Sequence, residues 1–295
     1  MHISIIVPFY NARHTLQRCV QSIFSQRVFT MPSGNTFDLW LVDDGSEDGS
    51  LEVTEALNPP EQLTVHYLRL AHQGESVARN RGVEQAKGDW VTFLDADDYW
   101  HPDYLLNMLQ MPTLFPEAAL YSCKYKVVNE GRFLERVRNI AWLGKRKQIN
   151  GFQCGYINYL RSYAEGAGTP ICNDCVLVKR EVYLALGGFD ERLTMCADFL
   201  LYAQVALLYK VAYLDCSLAY YDQDSNTQQV SKQLHAPERH AVFHTEILEK
   251  HFPNEDLLRA LHRFRTVNLR AYFHAPQYRK RAWQEMRKSF HFCLQ

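Results

Sequence analysis

Apolar runs and amphipathic stretches alternate in a regular order through the first hundred residues. ISIIVPF, Ile3 to Phe9, is short, β-branched and wholly apolar, the pattern of a strand buried on both faces. NARHTLQRCVQSIFSQ follows, with apolar positions at Leu16, Cys19, Val20 and Ile23, the spacing of one helix face. FDLWLVDD predicts a second strand, and GSEDGS a turn in which Asp48 or Ser50 can cap the next helix. LTVHYLRL predicts a third strand, GESVARNRGVEQAKG a helix closing on Gly88, and DWVTFLD a fourth strand.

Strands that alternate with helices and stay apolar throughout predict an α/β fold, with a mostly parallel sheet flanked by helices. Right-handed crossovers bring the carboxyl ends of such strands to one edge, where ligands bind. PFYN, VDDGS and LDADD each sit at such an end, so three polar clusters converge on one rim. Further on, AALYSCKYKVV reads as a strand, DCVLVKREVYLALGGFDE as strand, helix and Gly-Gly turn, CADFLLYAQVALLY as an apolar helix and VAYLDCSLAYYD as a strand. From about Asn129 to Pro170 no period stands out. After Ser231 the chain reads as helical. The expected division is a catalytic domain over 1–225, with halves of about 1–100 and 101–225, and a helical extension over 226–295.

Composition alters this picture little. The 295 residues, 47% hydrophobic, suffice for a large core. A net charge of -1 selects no partner, yet the stretch from Leu257 to Gln295 carries nine Lys or Arg against the single acid Glu285. That tail, with Phe264, Leu269, Tyr272, Phe273, Trp283, Met286 and Phe290 as an apolar side, fits peripheral contact with an anionic membrane. The alternative is that it packs on the domain and exposes its charges. No nucleic-acid module is visible. The eight scattered cysteines fit reduced thiols, and the lack of a leader or spanning run fits a cytoplasmic protein, at most at the inner face of the membrane. Cys172 and Cys175 have the spacing of a zinc or redox pair, but no second pair follows, and strand residues continue it.

FLDADDYW places Asp95, Asp97 and Asp98 directly after a buried strand. In an extended segment Asp95 and Asp97 point one way and Ala96 points back. Two such oxygen ligands suit Mg2+ or Mn2+, which offsets their repulsion and then neutralises a leaving diphosphate. The competing role is capping the helix near HPDYLL, which Asp98 is expected to share.

Taken together, ISIIVPFYN, LVDDGSEDGS, GESVARNRGVEQAKGDWVTFLDADD and GGFDE…ADFLL resemble the family 2 glycosyltransferases of the GT-A fold over roughly Ile3 to Tyr221. The resemblance implies an inverting transferase that moves a sugar from a nucleotide diphosphate, usually uridine, to an acceptor hydroxyl. The acceptor expected is a glycan or lipid-linked glycan of cell-surface polysaccharide, lipopolysaccharide or capsule. It implies a donor site of Pro8, Tyr10, Asp43, Asp44, Gly74, Arg79, Asp95, Ala96 and Asp97, with the metal on Asp97 and Asp95. Tyr10 would stack on the base; Asp43 and Asp44 would divide nucleoside contact and the GS turn between them. Gly74 opens a helix whose amino end favours anions, and Arg79 reaches ribose or phosphate or else is a solvated helix arginine.

Transfer needs a base for the acceptor hydroxyl. The resemblance implies an acidic pair on the helix after GGFDE; here Ala197 replaces the first acid and Asp198 remains. Asp198 is the expected base, its apolar neighbours raising its pKa. Glu191 and Asp190 are secondary candidates, Asp190 more naturally holding the GGFD turn. A histidine that many relatives carry after the next strand is missing from YYDQDSNTQQVS; Asp222, Gln223, Asp224 or Asn226 are its possible substitutes. The processive Q-x-x-R-W signature is also missing, so a single transfer per encounter is expected. Two competing readings are a sugar-nucleotide-binding scaffold, favoured by Ala197 and the missing histidine, and a sugar nucleotidyltransferase, which wants a Gly-rich loop that PFYNARHTL does not offer.

Overall fold

The computed structural model describes residues 1–32, 34–55, 58–224, 234–251 and 253–290. Its first four strands are β1 (His2–Phe9), β2 (Thr36–Asp43), β3 (Leu63–Arg69) and β4 (Trp90–Phe93). They lie in the order β3-β2-β1-β4, every pair parallel. Ile3 to Phe9 of β1 are all buried. Successive side chains leave a strand on opposite sides, so both faces of β1 are covered. Strand order reverses beside β1: the chain runs outward through β2 and β3, then returns on the other flank as β4. The carboxyl ends of β1 and β4 therefore border a switch-point crevice.

Three helices make the crossovers: α1 (Leu16–Phe24), α2 (Ser50–Glu55) and α3 (Glu75–Gln85). The α1 helix buries the four predicted positions Leu16, Cys19, Val20 and Ile23. The α3 helix lies close on β1 because residue 82 is glycine; a Cβ there would come within 2.6 Å of the Ile6 side chain. The predicted stop of this helix moves. It ends at Gln85, and Gly88 serves a different purpose: a Cβ at Gly88 would meet Ser4 Oγ at 2.6 Å and Ser4 N at 2.7 Å. Gly88 is thus a close-approach residue between chain segments.

Beyond β4 come β5 (Tyr99–Trp100), β6 (Ala118–Asn129), β7 (Arg132–Glu135), β8 (Trp142–Ile149), β9 (Phe152–Ile157), β10 (Val176–Lys179) and β11 (Lys210–Asp222). The full order is β3-β2-β1-β4-β10-β6-β11-β9-β8, with β5 on β11 and β7 on β6. Strand β10 runs antiparallel to both neighbours, and β11 is again parallel to β6. The aperiodic stretch 129–170 resolves into two hairpins. Their turns, Glu130-Gly131 and Asn150-Gly151, have positive φ at both residues (51° and 66°; 52° and 86°), the twist that closes a two-residue hairpin.

The later helices are α4 (Tyr104–Met108), α5 (Met111–Leu114), α6 (Tyr159–Ala164), α7 (Arg180–Ala185), α8 (Ala197–Leu208), α9 (Glu246–Glu249), α10 (Glu255–Asn268), α11 (Arg270–His274) and α12 (Arg279–Phe290). The C-terminal helices join the common core. Phe264 stacks on Phe199 of α8 at 3.9 Å between ring centres, and Leu269, Tyr272 and Met286 are buried with it. Four of the residues expected to form a lipid-facing side are therefore packed inward, and Phe273 packs against the same core. Trp283 alone among the described ones is exposed, while the side chain of Phe290 and Cys293 lie outside the described residues. Their cationic neighbour Arg265 is buried too, held by Glu249, Glu285 and Thr245. Among the described residues no helix is long and apolar enough to cross a membrane.

Candidate functional site

The rim beside β1 and β2 is built by two buried carboxylates. Asp43 Oδ1 accepts Ser46 N at 2.7 Å, and its Oδ2 accepts the Tyr67 hydroxyl at 2.9 Å. Asp43 therefore shapes the GS turn. Asp44 accepts Gln73 N at 2.7 Å and Gly74 N at 2.8 Å, one on each oxygen. It clamps the loop that opens α3, with Gly74 at φ 102° as the entry residue. Pro8 sits past Ile6, the last residue of β1 that β4 pairs, so its missing N–H costs the sheet no bond on that side. Tyr10 is exposed on this rim and stacks face to face with His72, ring centres 4.0 Å apart. His72 was not singled out from the sequence. Its Nδ1 lies 3.2 Å from Asp44 Oδ2, which ties the aromatic pair to the clamp.

At the end of β4 the chain does not stay extended. Asp98 N bonds back to Asp95 O at 3.0 Å, so Asp95 to Asp98 form a tight turn. The expectation that Asp95 and Asp97 project together from an extended segment is corrected by that bond. The turn instead draws oxygen atoms of Asp95, Asp98 and Asp174 within 4.8 Å of one another. Ala96 is buried, and the backbone oxygen of Asp97 accepts Arg18 Nη2 at 2.6 Å. Nor does Asp98 cap the following helix. It is fully buried, its Oδ1 accepts Asp222 N at 2.7 Å, and the N–H of Leu105 in α4 is taken by Gln26.

Asp174, from the CNDC turn, is the partner the sequence reading missed. Its Oδ1 accepts Asp95 N at 2.8 Å and its backbone oxygen accepts Trp100 Nε1 at 2.6 Å. Burial, and then the charge of Asp174, holds the Asp98 carboxyl well above the usual range; burial and the charge of Asp95 do the same to Asp174. Two carboxyls facing each other away from water resist ionising together, so the pair holds a proton to higher pH than either would alone. Asp98 and Asp174 hydrogen-bond to each other through their side chains. Asp95, Asp98 and Asp174 offer oxygen donors only, the chemistry of a hard divalent cation, which would displace the proton that Asp98 and Asp174 share.

Arg79 is no solvated helix arginine. It is buried, and its Nη2 lies 2.5 Å from both Asp95 Oδ1 and Glu75 Oε1. The next residue, Asn80, reaches the opposite wall. Its side chain accepts Phe189 N (2.9 Å) and the Tyr183 hydroxyl (2.6 Å) and donates to Phe189 O (2.9 Å). The A-R-N-R-G run thus fastens α3 to Asp95 on one side and to the GGFD turn on the other.

That turn leads into α8, which Cys196 enters with φ 57°. Asp198 lies in the first helical turn. Burial raises its pKa, the Phe199 backbone N–H and the Arg79 charge oppose the rise, and the Asp95 charge adds to it. Tyr125, Tyr159 and Tyr202 feel the Asp198 charge in turn, and the buried Tyr159 hydroxyl has no hydrogen-bond partner. The secondary candidates are engaged elsewhere. Asp190 chelates Arg192, which with burial working against it lowers its pKa, and Glu191 accepts Asn80 Nδ2 at 3.1 Å.

After β11, two of the possible substitutes for the missing histidine already serve the protein. Asp222 pairs with Arg18 at 2.5 Å, and Asp224 accepts Gly131 N at 2.8 Å in the β6–β7 turn. Gln223 donates its backbone N–H to Val128 O, and Asn226 lies outside the described residues.

Against known proteins, residues 4–183 match the family model "Glycosyl transferase family 2". The uncharacterized glycosyltransferase YibD of Escherichia coli is 36% identical over 111 residues, which are 37% of this chain and 30% of that protein. The putative teichuronic acid biosynthesis glycosyltransferase TuaG of Bacillus subtilis is 36% identical over 109 residues, 37% of this chain and 40% of that protein. The chain thus matches less than half the length of these relatives. Among solved structures, residues 1–349 of S. aureus TarS superpose with a TM-score of 0.68 at 18% identity, covering 98% of this chain and 80% of that one. The same TarS fragment in complex with UDP-GlcNAc gives 0.63 at 19% identity, covering 98% and 72%.

Proposed function

The chain belongs to glycosyl transferase family 2, and from that premise we propose an inverting transfer of a sugar from a uridine-diphosphate donor to a hydroxyl of a glycan or lipid-linked glycan, in cell-surface polysaccharide assembly. One observation carries the reading. Asp198, its basicity raised by burial, opens α8 near enough to the Arg79–Asp95 pair to feel the charges of both. That brings a proton acceptor near a donor-binding edge, the arrangement one in-line displacement needs. TarS, of like fold, has been crystallised with UDP-GlcNAc, which favours a uridine nucleotide.

In this reading the base lies on the free face of Tyr10, with His72 backing the ring. Asp44 holds the loop at Gly74, so the first turn of α3 meets the donor at its positive end. Arg79 fixes one oxygen of Asp95, and the Asp98–Asp174 pair sets the turn that presents Asp97. Asp95 and Asp97 would hold Mn2+ or Mg2+, which supplies positive charge against the departing diphosphate. Asp198 takes the proton of the acceptor hydroxyl as its oxygen attacks the anomeric carbon. The nucleotide diphosphate leaves on the opposite face, inverting that carbon.

The test is donor hydrolysis with a panel of sugar nucleotides, with and without Mn2+. Release of free UDP from one or more donors is expected. Binding of a sugar nucleotide without any release would replace the transferase with a sugar-nucleotide-binding protein.

A further inference from the structure

The CNDC turn is not absorbed by the transfer chemistry, yet its residues bond to Asp95, Trp100 and Tyr202 beneath the site. Cys172 Sγ and Cys175 Sγ lie 3.3 Å apart across one 3-10 turn. Both are free thiols; Cys172 is partly exposed and Cys175 buried. Cys172 N and Ser122 Oγ also lie 3.3 Å from the Cys175 sulfur. The residues between the two sulfurs hold the site: Asp174 accepts Asp95 N and, through its backbone oxygen, Trp100 Nε1, and Asn173 accepts the Tyr202 hydroxyl of α8.

We propose that Cys172 and Cys175 are a redox modification site, a dithiol that a peroxide closes to a disulfide, and that closure displaces Asp174 and so disorders the donor rim at Asp95. The sulfurs must close from 3.3 Å to about 2.05 Å, a shift of more than an ångström within a four-residue turn. The Cys172 sulfur, on the partly exposed side, gives up its proton as it attacks one peroxide oxygen, leaving water and a sulfenic acid. The Cys175 thiolate then attacks that sulfur and expels the oxygen as a second water. Two thiols give up two electrons and two protons, and hydrogen peroxide takes them as two waters.

The consequence for the donor rests on the function proposed above; the disulfide itself does not. Wild-type protein is treated with hydrogen peroxide, and the cysteine pairing is mapped by peptide mass. The expected product links Cys172 to Cys175 and opens again in dithiothreitol. UDP binding in Mn2+ should weaken about tenfold or more on oxidation, the loss of one charge-assisted hydrogen bond at the rim. Trp100 emission reports the junction without any donor. It should shift on oxidation in the wild type, but neither in Cys172→Ser nor, beyond background, in Trp100→Phe. If reduced protein binds no UDP while the Trp100 signal behaves as stated, the donor assignment fails and the dithiol stands. Oxidation that stops at sulfenic acid, pairs other cysteines, or leaves Trp100 emission unchanged would overturn the proposal.

Discussion

Asn80 joins the two halves of the site, and the cost of removing it can be worked from its contacts. Its side chain is buried and satisfies the N–H and C=O of Phe189 and the hydroxyl of Tyr183, both residues about 1% exposed. Asn80→Ala strands three buried polar groups. Each costs about 1–3 kcal/mol, and water entering the small void recovers part, so the expected loss is about 3–5 kcal/mol. For a chain of this size that is about 5–8 °C in Tm. Gly188 supplies an internal check. A Cβ there would lie 2.4 Å from Asn80 Oδ1 and 2.9 Å from Tyr183 Cε1, and Gly188 has φ 68°. Gly188→Ala therefore costs about 1–2 kcal/mol from the backbone plus a steric part. Removing Asn80 relieves most of the steric part. The double variant should be less destabilised than the sum by ~1 kcal/mol or more, read by urea unfolding followed by circular dichroism. Additivity within about 0.5 kcal/mol, or an Asn80→Ala loss below about 1 kcal/mol, would refute the clamp.

Asp198→Asn should keep donor binding and lose about 100-fold or more of transfer, since a positioned base contributes about 10²–10⁴; normal turnover would remove Asp198 from the mechanism. Asp97→Ala should abolish the Mn2+-dependent thermal shift with UDP while leaving the apoprotein Tm within a few degrees; a retained shift would place the cation elsewhere. Tyr10→Ala should weaken UDP about tenfold, the value of one base stack, measured by calorimetry; unchanged affinity would separate Tyr10 from the nucleoside. His240 is buried with its Nδ1 accepting Val242 N, and burial, then the charges of His235 and His244, lower its pKa to about 4. Between pH 6.5 and 4 the unfolded chain binds the extra proton, so stability is full above that window and falls as pH falls. The expected loss from pH 7.5 to 5 is about 2 kcal/mol, absent from His240→Asn, and equal losses in both proteins would refute it.

Much of the donor half was legible because local pattern and function coincide there. The apolar runs of β1, β2 and β4 specify buried strands, and the acids at their ends have no packing reason to be in apolar surroundings. The stretch 129–170 was opaque for a physical reason. Strand β8 lies at the sheet edge with Leu143 to Gln148 exposed, so no alternation marks it. Within it the Asn150-Gly151 pair is the one strong local hairpin signal, with positive φ at both residues. The amphipathic tail suggested a lipid face because sequence reports that a helix has an apolar side, and not what covers it.

The sequence by itself determined the order of strands and helices in the donor half, the rim on which the acids gather, and the family. Tertiary structure decided which acids meet. Asp174 lies 79 residues from Asp95, and Asn80 lies 109 from Phe189. Such contacts arise only when the sheet brings β10 beside β4 and α3 against the GGFD turn. Burial did the rest, because whether a carboxylate is a ligand, a clamp or a base depends on the water and charges around it, and neither is written in its neighbours along the chain.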